Sequence, residues 1–207
     1  MSTIERMAGD AGSVQEFGRR YLEYLADLFL EIDTDAVAAF VEELETARKQ
    51  HNTIFFIGNG GSAATASHMA NDFGIGVHKN KDEEPFRVHA LTDNVATMTA
   101  VANDHGYENL FVGQLRTHYR QGDKLVAISA SGNSPNVVAA ARWVRQRGGK
   151  VIALVGFDGG TLKEISDIAV HIKTEKGEYG PVEDVHMILD HLIHSWLLTR
   201  VQKENGA

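Results

Sequence analysis

The stretch Thr53-Ile-Phe-Phe-Ile57 is a short apolar run, and it is closed by the glycines of Gly58-Asn-Gly-Gly-Ser62. A run of this length that ends in a turn is typical of a strand buried on both faces. Four further runs of the same kind follow, and helical patterns lie between most of them. Strands that alternate with helices predict an α/β fold with a parallel sheet covered on both faces. The four runs are Phe86–Leu91, Lys124–Ser129, Val151–Val155 and Ile168–Ile172.

Outside this core, the pattern predicts helices before the first strand and after the last. Apolar residues recur at helical spacing across 14–32, and a second helix is expected to start near Asp33. The last helix should begin near Pro181, because proline is favoured at the first helical position, and should continue through Leu198 or beyond. We expect one domain over 1–207, with a flexible N-terminus at 1–13, helices at 14–51, an α/β core at 52–200 and a loose tail at 203–207.

The composition restricts the chemistry that the chain can use. Its 207 residues carry a formal net charge of -8, so bulk attraction to nucleic acid or to an anionic membrane is not expected, and a phosphate must be held locally. The chain has no cysteine and ten histidines, so a metal site would use histidine and carboxylate ligands. It has neither a secretory signal nor an apolar run of about 18 residues, which predicts a cytoplasmic protein.

The first glycine-rich loop, Gly58–Ser62, follows a strand and opens a helix. Glycines let the backbone approach a ligand closely, and the helix start presents free N–H groups. The simplest alternative is a tight turn. Another is a dinucleotide site, because Gly58, Gly60 and Ala63 fit G-x-G-x-x-A, but the acidic residue expected about 20 positions later is absent: the nearest strand end is at Leu91–Asp93.

The second loop, Ser129-Ala-Ser-Gly-Asn-Ser-Pro135, also lies between a strand and a helix. Pro135 suits the first helical position and Ser134 suits the N-cap. Capping does not explain Ser129 and Ser131. Several hydroxyls beside open backbone amides form a phosphate cradle without lysine or arginine, and two such loops at the carboxyl ends of parallel strands should face one crevice.

A possible metal and acid–base cluster is spread over two helices. His68 and Asp72 are four residues apart, and Glu183 and His191 are eight apart, so each pair lies on one side of its helix. Two histidines and two carboxylates can bind Zn²⁺ or another divalent ion. The alternative is that His68 and Asp72 form a surface ion pair. The last helix also carries His186, Asp190 and His194, which we interpret as solvated residues outside the site.

The combination of motifs resembles the sugar isomerase (SIS) domain family, and within it the phosphoheptose isomerases, over roughly residues 15–200. The resemblance implies a five-stranded parallel sheet flanked by helices in a three-layer sandwich, and N-terminal helices used in assembly. It also implies a homotetramer with active sites between subunits and the conversion of sedoheptulose 7-phosphate to D-glycero-D-manno-heptose 7-phosphate. The motifs are Gly58–Ser62, His68, Ala102–Asp104, Ser129–Ser134, Gly156–Gly160, Val182–His186 and His191.

The resemblance also implies roles for individual residues, and these residue types suit aldose–ketose exchange through an enediol, which needs an acid, a base and a group that stabilises an oxyanion. Asp72 falls where the family has its catalytic glutamate and His191 falls on its catalytic histidine. We assign Asp72 as the base and His191 as the acid, although their order is open. The remaining implied roles are as follows: Ser129, Ser131 and Ser134 hold the phosphate; Asn59, Gly60, Gly61, Ser62, Asn103, Asp104 and Glu183 line the substrate; and His68, Asp72, Glu183 and His191 bind one Zn²⁺ or other divalent ion per active site.

Four departures from the family pattern affect this site. Asp72 replaces a glutamate, Glu183 replaces the usual glutamine, and Ala130 replaces a threonine of the phosphate loop. The stretch Glu178–Pro181 lacks the aspartate that usually precedes the last helix. All four lie in the site, so they bear on which sugar phosphate it accepts and not on the scaffold.

Two other functions on the same scaffold stay open at this point. Tetrameric SIS adaptors bind a replication initiator protein, and the segments Leu91–Val95 and Ala102–Asp104 look like theirs, but the adaptors typically lack the histidine found here at His191. A non-catalytic phosphosugar sensor would keep the serine loop and would need neither Asp72 nor His191.

Overall fold

The structure is a computed structural model that describes residues 1–78 and 84–204, so residues 205–207 of the expected loose tail lie outside the described ranges. It contains a single five-stranded parallel sheet in the order β2-β1-β3-β4-β5, with helices on both faces. The predicted α/β fold is therefore confirmed. The strands are β1 (Thr53–Ile57), β2 (Arg87–Ala90), β3 (Lys124–Ser129), β4 (Lys150–Val155) and β5 (Ile168–His171).

Helices precede the sheet, connect its strands and follow it. The N-cap of the third helix is Asp33, as predicted, and its side chain accepts bonds from the amides of Asp35 and Ala36. A π-helical turn at Asp72–Gly76 follows α4, and a short 3₁₀ turn at Tyr107–Asn109 precedes α6. The α-helices are α1 (Thr3–Asp10), α2 (Val14–Leu30), α3 (Thr34–Lys49), α4 (Gly61–Asn71), α5 (Val95–His105), α6 (Leu110–His118), α7 (Pro135–Arg145), α8 (Gly160–Ile165) and α9 (Tyr179–Glu204).

The strands read as continuous apolar runs because consecutive side chains are buried on opposite faces of the sheet. Phe56 packs in the cluster that contains residues of α2, α3, α4 and α9, whereas the adjacent Phe55 packs in the cluster that contains residues of α6 and α7. Both phenylalanines are nearly or fully inaccessible. Burial of apolar side chains on both faces is the main force that holds this three-layer arrangement together.

The strand order creates a switch point between β1 and β3. The chain passes from β1 to β2 on one side and then returns to place β3 on the other side of β1. Ile57, the last residue of β1, pairs with Ala127 of β3. In sheets of this kind, ligands bind in the crevice beyond the carboxyl ends of the strands at the switch point.

The N-terminal segment 1–13, which we predicted to be flexible, contains the helix α1. Ser2 caps this helix, and the helix attaches to the rest of the chain through an ion pair of Arg6 with Glu175 at 2.8 Å and through the Ile4 amide, which donates to Glu178 at 3.2 Å. None of its residues is buried. Ile4 and Met7 are half-buried and three residues apart, but the polar contacts that hold the helix reach residues far along the chain, which the sequence pattern does not reveal.

The last helix, α9, begins two residues before Pro181 and continues beyond Leu198. Its buried stripe includes Val182, Val185 and Leu189, which pack against the sheet-side core. No helix in the described ranges is both long enough and apolar enough to cross a membrane.

Candidate active site

Two loops meet at the switch point of the sheet. Gly58–Ser62 follows β1 and leads into α4, and Ser129–Ser134 follows β3 and leads into α7. Because β1 and β3 are neighbouring parallel strands, both loops emerge at the same end of the sheet, beyond the carboxyl ends of the strands. The predicted positions of both loops between a strand and a helix are confirmed.

The second loop presents hydroxyl groups that the helix does not use. Ser134 occupies the N-cap position before Pro135, as predicted, but its side chain makes no capping bond. Its Oγ lies 3.2 Å from the Oγ of Ser129. Both hydroxyls, with that of Ser131, border a small pocket of about 130 Å³, a size that suits a phosphate group. The pocket is lined by Asn59, Ser62, Ile128, Ser129, Ala130, Ser131, Ser134, Tyr179 and Glu183.

The first loop reaches the same pocket through Asn59 and Ser62. The Asn59 side chain is fixed by an amide pair with Asn136, with N–O distances of 2.8 and 2.9 Å, and its Oδ1 also accepts a bond from the Tyr107 hydroxyl at 2.9 Å. Gly60 has a φ of +55° and allows the sharp entry into α4. The sequence analysis did not identify Asn136, Tyr107 or Tyr179, because each lies outside the loop motifs.

Glu183 lies between the two loops. Its carboxylate rests against Gly61, where any β-carbon would collide with it. Partial burial raises the pKa of Glu183, and the neighbouring charge of Asp184 adds to the effect. Glu183 lines the pocket of the serine loop, and its contact with substrate stays a prediction.

A second group of polar side chains lies where α4 and the π-helical turn pack against α9. The Nε2 of His68 is 3.2 Å from the Nε2 of His191 and 3.6 Å from the Oδ2 of Asp72. The same nitrogen is 3.6 Å from the Oδ2 of Asp190. Each of these four residues offers one ligand atom, and the four atoms lie within 4.8 Å of one another. The structure thus brings together His68, Asp72 and His191 as predicted, but the fourth member of the group is Asp190 and not Glu183.

The spacing within this group fits a divalent ion. Ligand atoms bound tetrahedrally to Zn²⁺ at roughly 2.0–2.1 Å are about 3.3 Å from one another. The three separations from His68, at 3.2, 3.6 and 3.6 Å, are close to that value. Imidazole and carboxylate are also ligands that Zn²⁺ and similar ions accept.

The interpretation of His186, Asp190 and His194 as solvated residues was wrong. His186 and Asp190 are completely buried, and His194 keeps 24% of its side-chain surface. Burial, with a smaller contribution from the charge of Asp72, raises the pKa of Asp190 to about 7 against the opposing effect of His191. The Nδ1 of His194 lies 3.6 Å from the Oδ2 of Asp72. His186, Asp190 and His194 follow Val182 at intervals of four residues, so they lie on the same side of α9 as the buried Val182.

Asn103 and Asp104 lie on α5 and are exposed. The Asn103 amide donates to the Asp104 carboxylate at 2.7 Å. Neither residue lines the pocket of the serine loop. Their predicted contact with substrate stays a prediction.

His186 carries a pKa that is lowered to about 4. Burial is the main cause, and the backbone of Val155 opposes it. Apart from this weak interaction with the Val155 backbone, neither ring nitrogen has a hydrogen-bond partner among the described residues. The imidazole is therefore neutral in the folded chain at pH values where an unfolded histidine is protonated.

This burial predicts a loss of stability in mild acid. Below about pH 6.5 the unfolded chain binds a proton at His186 that the folded chain does not bind until about pH 4. The contribution of the neutral His186 to the free energy of unfolding is complete above about pH 6.5. It falls by roughly 3 kcal/mol as the pH is lowered to about 4. His186→Leu should lack this part of the acid sensitivity. Urea unfolding at pH 7, 5.5 and 4 measures it, with the exposed His105→Leu as the control. Parallel pH curves for wild type and His186→Leu would contradict this account.

Comparisons with known proteins cover most of the chain. A family model described as SIS domain matches residues 17–156, which include both loops of the crevice. The curated phosphoheptose isomerase of Rhodospirillum rubrum is 34% identical over 177 residues, or 84% of this chain and 92% of that protein. That of Akkermansia muciniphila is 37% identical over 145 residues, or 70% of this chain and 75% of that protein. The solved structure of phosphoheptose isomerase GmhA from Neisseria gonorrhoeae is similar with a TM-score of 0.79 and 30% identity, covering 89% of this chain and 98% of that one.

Proposed function

The chain belongs to the SIS domain family, and from this premise we propose that it is a cytoplasmic sugar-phosphate isomerase that interconverts an aldose and a ketose. The resemblance to SIS domains and phosphoheptose isomerases predicted from the motifs is confirmed by the family match and by relatives that are 34% and 37% identical. The names of those relatives support a heptose phosphate as the substrate. Within that class we propose sedoheptulose 7-phosphate as the substrate and D-glycero-D-manno-heptose 7-phosphate as the product, as the motif resemblance implies.

The observation that carries this proposal is the placement of two chemically different groups along one helix. Near its start, α9 supplies Tyr179 and Glu183 to the pocket of the serine loop. Further on, it supplies Asp190 and His191 to the carboxylate–imidazole group. Eight residues separate Glu183 from His191, which is about 12 Å along a helix. That spacing suits an extended seven-carbon sugar phosphate, whereas a triose phosphate would be too short to reach both groups.

In the proposed reaction the sugar phosphate is anchored at one end and loses a proton at the other. The hydroxyls of Ser129, Ser131 and Ser134 and the amides at the start of α7 bind the phosphate. Asp72 takes the proton from the carbon next to the carbonyl, and His191 protonates the carbonyl oxygen, giving an enediol. Asp72 then returns its proton to the adjacent carbon while His191 takes the proton from the hydroxyl of the first carbon, so that this carbon becomes the aldehyde and both groups regain their starting states. Proton transfer by positioned groups of this kind typically contributes about 10²–10⁴-fold to the rate.

We propose that the carboxylate–imidazole group binds one Zn²⁺ or other divalent ion per active site, held by His68, Asp72 and His191 together with a further carboxylate. When bound, such an ion polarises the sugar carbonyl and stabilises negative charge on its oxygen. His194 lies against Asp72 and would fix the orientation of that carboxylate.

Removal of one hydroxyl from the serine loop should weaken substrate binding. For Ser131→Ala we expect KM for sedoheptulose 7-phosphate to rise about tenfold with a smaller change in kcat, because a hydrogen bond to a charged group contributes roughly 1.5–3 kcal/mol. Initial rates of heptose 7-phosphate formation, with and without added Zn²⁺, measure the effect. Ser13→Ala, which removes a helix cap outside the pocket, is the control. Unchanged KM in Ser131→Ala would argue against the cradle, and tight binding of the sugar phosphate by wild type without turnover would favour a sensor.

We also propose the homotetramer that the resemblance implies. An apolar groove of about 830 Å³ lies between α3 and α9, and the side chains that border it include Leu192, which is 52% exposed, and Trp196, which is 50% exposed. An exposed apolar surface of this kind in a protein marks an interaction site. The apolar lining consists of Phe29, Ile32, Val37, Ala38, Val41, Ile188, Leu189, Leu192 and Trp196.

A charge placed in this groove should disrupt assembly. Leu192→Asp is expected to shift the chain from tetramer to smaller species, because a carboxylate is costly to bury among apolar side chains and Arg200, which also borders the groove, is held over the Trp196 ring. Size-exclusion chromatography with light scattering measures the mass in solution. Ile75→Asp provides a matched control, because Ile75 is 75% exposed and lies outside the groove. A tetramer in both variants would show that this groove is not the interface.

A further inference from the structure

We propose that Asp190, and not Glu183, is the carboxylate that completes the metal site with His68, Asp72 and His191. This inference rests on the metal site of the proposed function. It reassigns one ligand, from the position that the family resemblance implied to a neighbouring turn of α9. The evidence lies in the distances, the burial and the surroundings of the two carboxylates.

Asp190 lies as close to His68 as Asp72 does. The Oδ2 of Asp190 lies 3.6 Å from the Nε2 of His68, the same separation as that between Asp72 and this nitrogen. By distance, Asp190 is as well placed as Asp72 to bind an ion next to His68. Asp72 comes from the π-helical turn after α4, and Asp190 comes from α9. With His191 beside it in sequence, α9 supplies two ligand atoms to one group.

Asp190 is also buried without a hydrogen-bond partner. The Asp190 side chain has no exposed surface, and neither of its oxygens accepts a hydrogen bond from any described residue. A buried carboxylate that accepts no hydrogen bond is unfavourable, and the contact with His68 at 3.6 Å is too long to supply one. Burial of a charge is tolerated when it is paired or bound to a metal. A divalent ion among these four residues supplies the missing partner for Asp190.

Glu183 lies away from the other ligand atoms. Its carboxylate packs on Gly61 and borders the pocket of the serine loop, two turns of α9 before His191. It is not part of the group whose ligand atoms lie within 4.8 Å. Glu183 is therefore placed to contact the sugar chain between the phosphate and the metal, while Asp190 takes the role of ligand.

The reassignment has a consequence for charge. Two aspartates and two neutral imidazoles balance the two positive charges of a divalent ion. A bound ion would therefore leave no net charge in the partly enclosed site, which lowers the cost of burying it. The ligand set also keeps both carboxylates on short side chains, which fits the replacement of the family's glutamate by Asp72.

Metal affinity tests this assignment without reference to activity. The purified full-length protein is stripped with a chelator and titrated with Zn²⁺ against a chromophoric competitor, for wild type, Asp190→Asn and Glu183→Gln. Both variants exchange a carboxylate for an amide on the same helix, so they form a matched pair. We expect Asp190→Asn to weaken Zn²⁺ binding at least about 100-fold, beyond the 10- to 100-fold typical of a residue that only supports a ligand. Glu183→Gln should stay within about threefold of wild type.

Thermal unfolding supplies a second readout. In the metal-free state, Asp190→Asn should be at least as stable as wild type, because it replaces a buried carboxylate that accepts no hydrogen bond with a neutral amide. Zn²⁺ should raise the Tm of wild type and Glu183→Gln but not that of Asp190→Asn. Asp190→Leu, which introduces no polar group, is expected to behave in the same way and serves if the amide variant folds poorly.

Two outcomes would overturn the inference. If Glu183→Gln loses Zn²⁺ and Asp190→Asn retains it, the ligand is Glu183, as the resemblance implied. If wild type binds no Zn²⁺, Mn²⁺ or Co²⁺, the assignment fails together with the metal site. Turnover of sedoheptulose 7-phosphate by the same wild-type sample shows separately whether the proposed isomerase stands.

Discussion

Replacement of His191 by alanine is expected to lower kcat for sedoheptulose 7-phosphate by about 10³-fold. The proposed reaction uses His191 to move a proton to the carbonyl oxygen, and such transfer contributes roughly 10²–10⁴-fold. Its imidazole lies 3.2 Å from that of His68, so the same change also removes a proposed metal ligand. KM should change much less, because the phosphate is bound at the other end of the site. Initial rates at saturating substrate, with Zn²⁺ present, measure both quantities.

A histidine at the opposite end of the sheet, near the amino ends of the strands, provides the control for this experiment. His118 is exposed at the end of α6 and borders a cavity beside Thr53 and Asp123, where the strands begin. His118→Ala should keep the turnover of the wild type. If His191→Ala retains more than about a tenth of the wild-type kcat, His191 is not the acid–base partner of Asp72.

The second large effect is expected from Gly132→Ala. Gly132 has a φ of +62°, and a β-carbon there would collide with the carbonyl oxygen of Gly159. The left-handed conformation costs a residue with a side chain about 1–2 kcal/mol, and overpacking against backbone typically adds about 1–3 kcal/mol. We expect a loss of roughly 3 kcal/mol in the free energy of unfolding. The serine loop should also be displaced, so phosphate affinity should fall by at least about tenfold.

Gly148→Ala separates the two contributions. Gly148 has a similar φ of +70°, but nothing lies within 4 Å of its β-carbon position. This control should therefore show the conformational cost alone, about 1–2 kcal/mol, and should leave phosphate binding intact. Urea unfolding and titration with sugar phosphate measure both effects. Equal losses of stability in the two variants would mean that the contact with Gly159 does not constrain the loop.

Much of the fold follows from the sequence because its strands lie at the centre of the structure. Thr53–Ile57 and Lys124–Ser129 have the bounds predicted for them, since nearly every residue in them packs on one face or the other. The run Phe86–Leu91 is shortened to Arg87–Ala90, which is one of the two edge strands and has only one neighbour. An edge strand buries fewer of its residues, so its apolar pattern defines its ends less well.

The candidate site was predictable where a residue type and its local motif decide its role. The serine loop is an example, because a strand, a set of hydroxyls and a helix start must lie in that order. His186 and Asp190 were predicted to be solvent-exposed because they are polar. They follow Val182 by four and eight residues, respectively, and share its buried side of the helix. Spacing identifies the side of a helix, but the packing partner decides whether that side is buried. The position of Glu183 likewise depends on how α9 packs against α4.

Conversion of sedoheptulose 7-phosphate in deuterium oxide tests the central claim most directly. The account predicts a D-glycero-D-manno-heptose 7-phosphate product, visible by NMR, in which at least part of the molecules carry deuterium at C2, because the carboxylate that moves the proton can exchange it with solvent. Absence of any aldose product and of any deuterium uptake, in a protein that binds the sugar phosphate, would contradict the account and leave only a binding role.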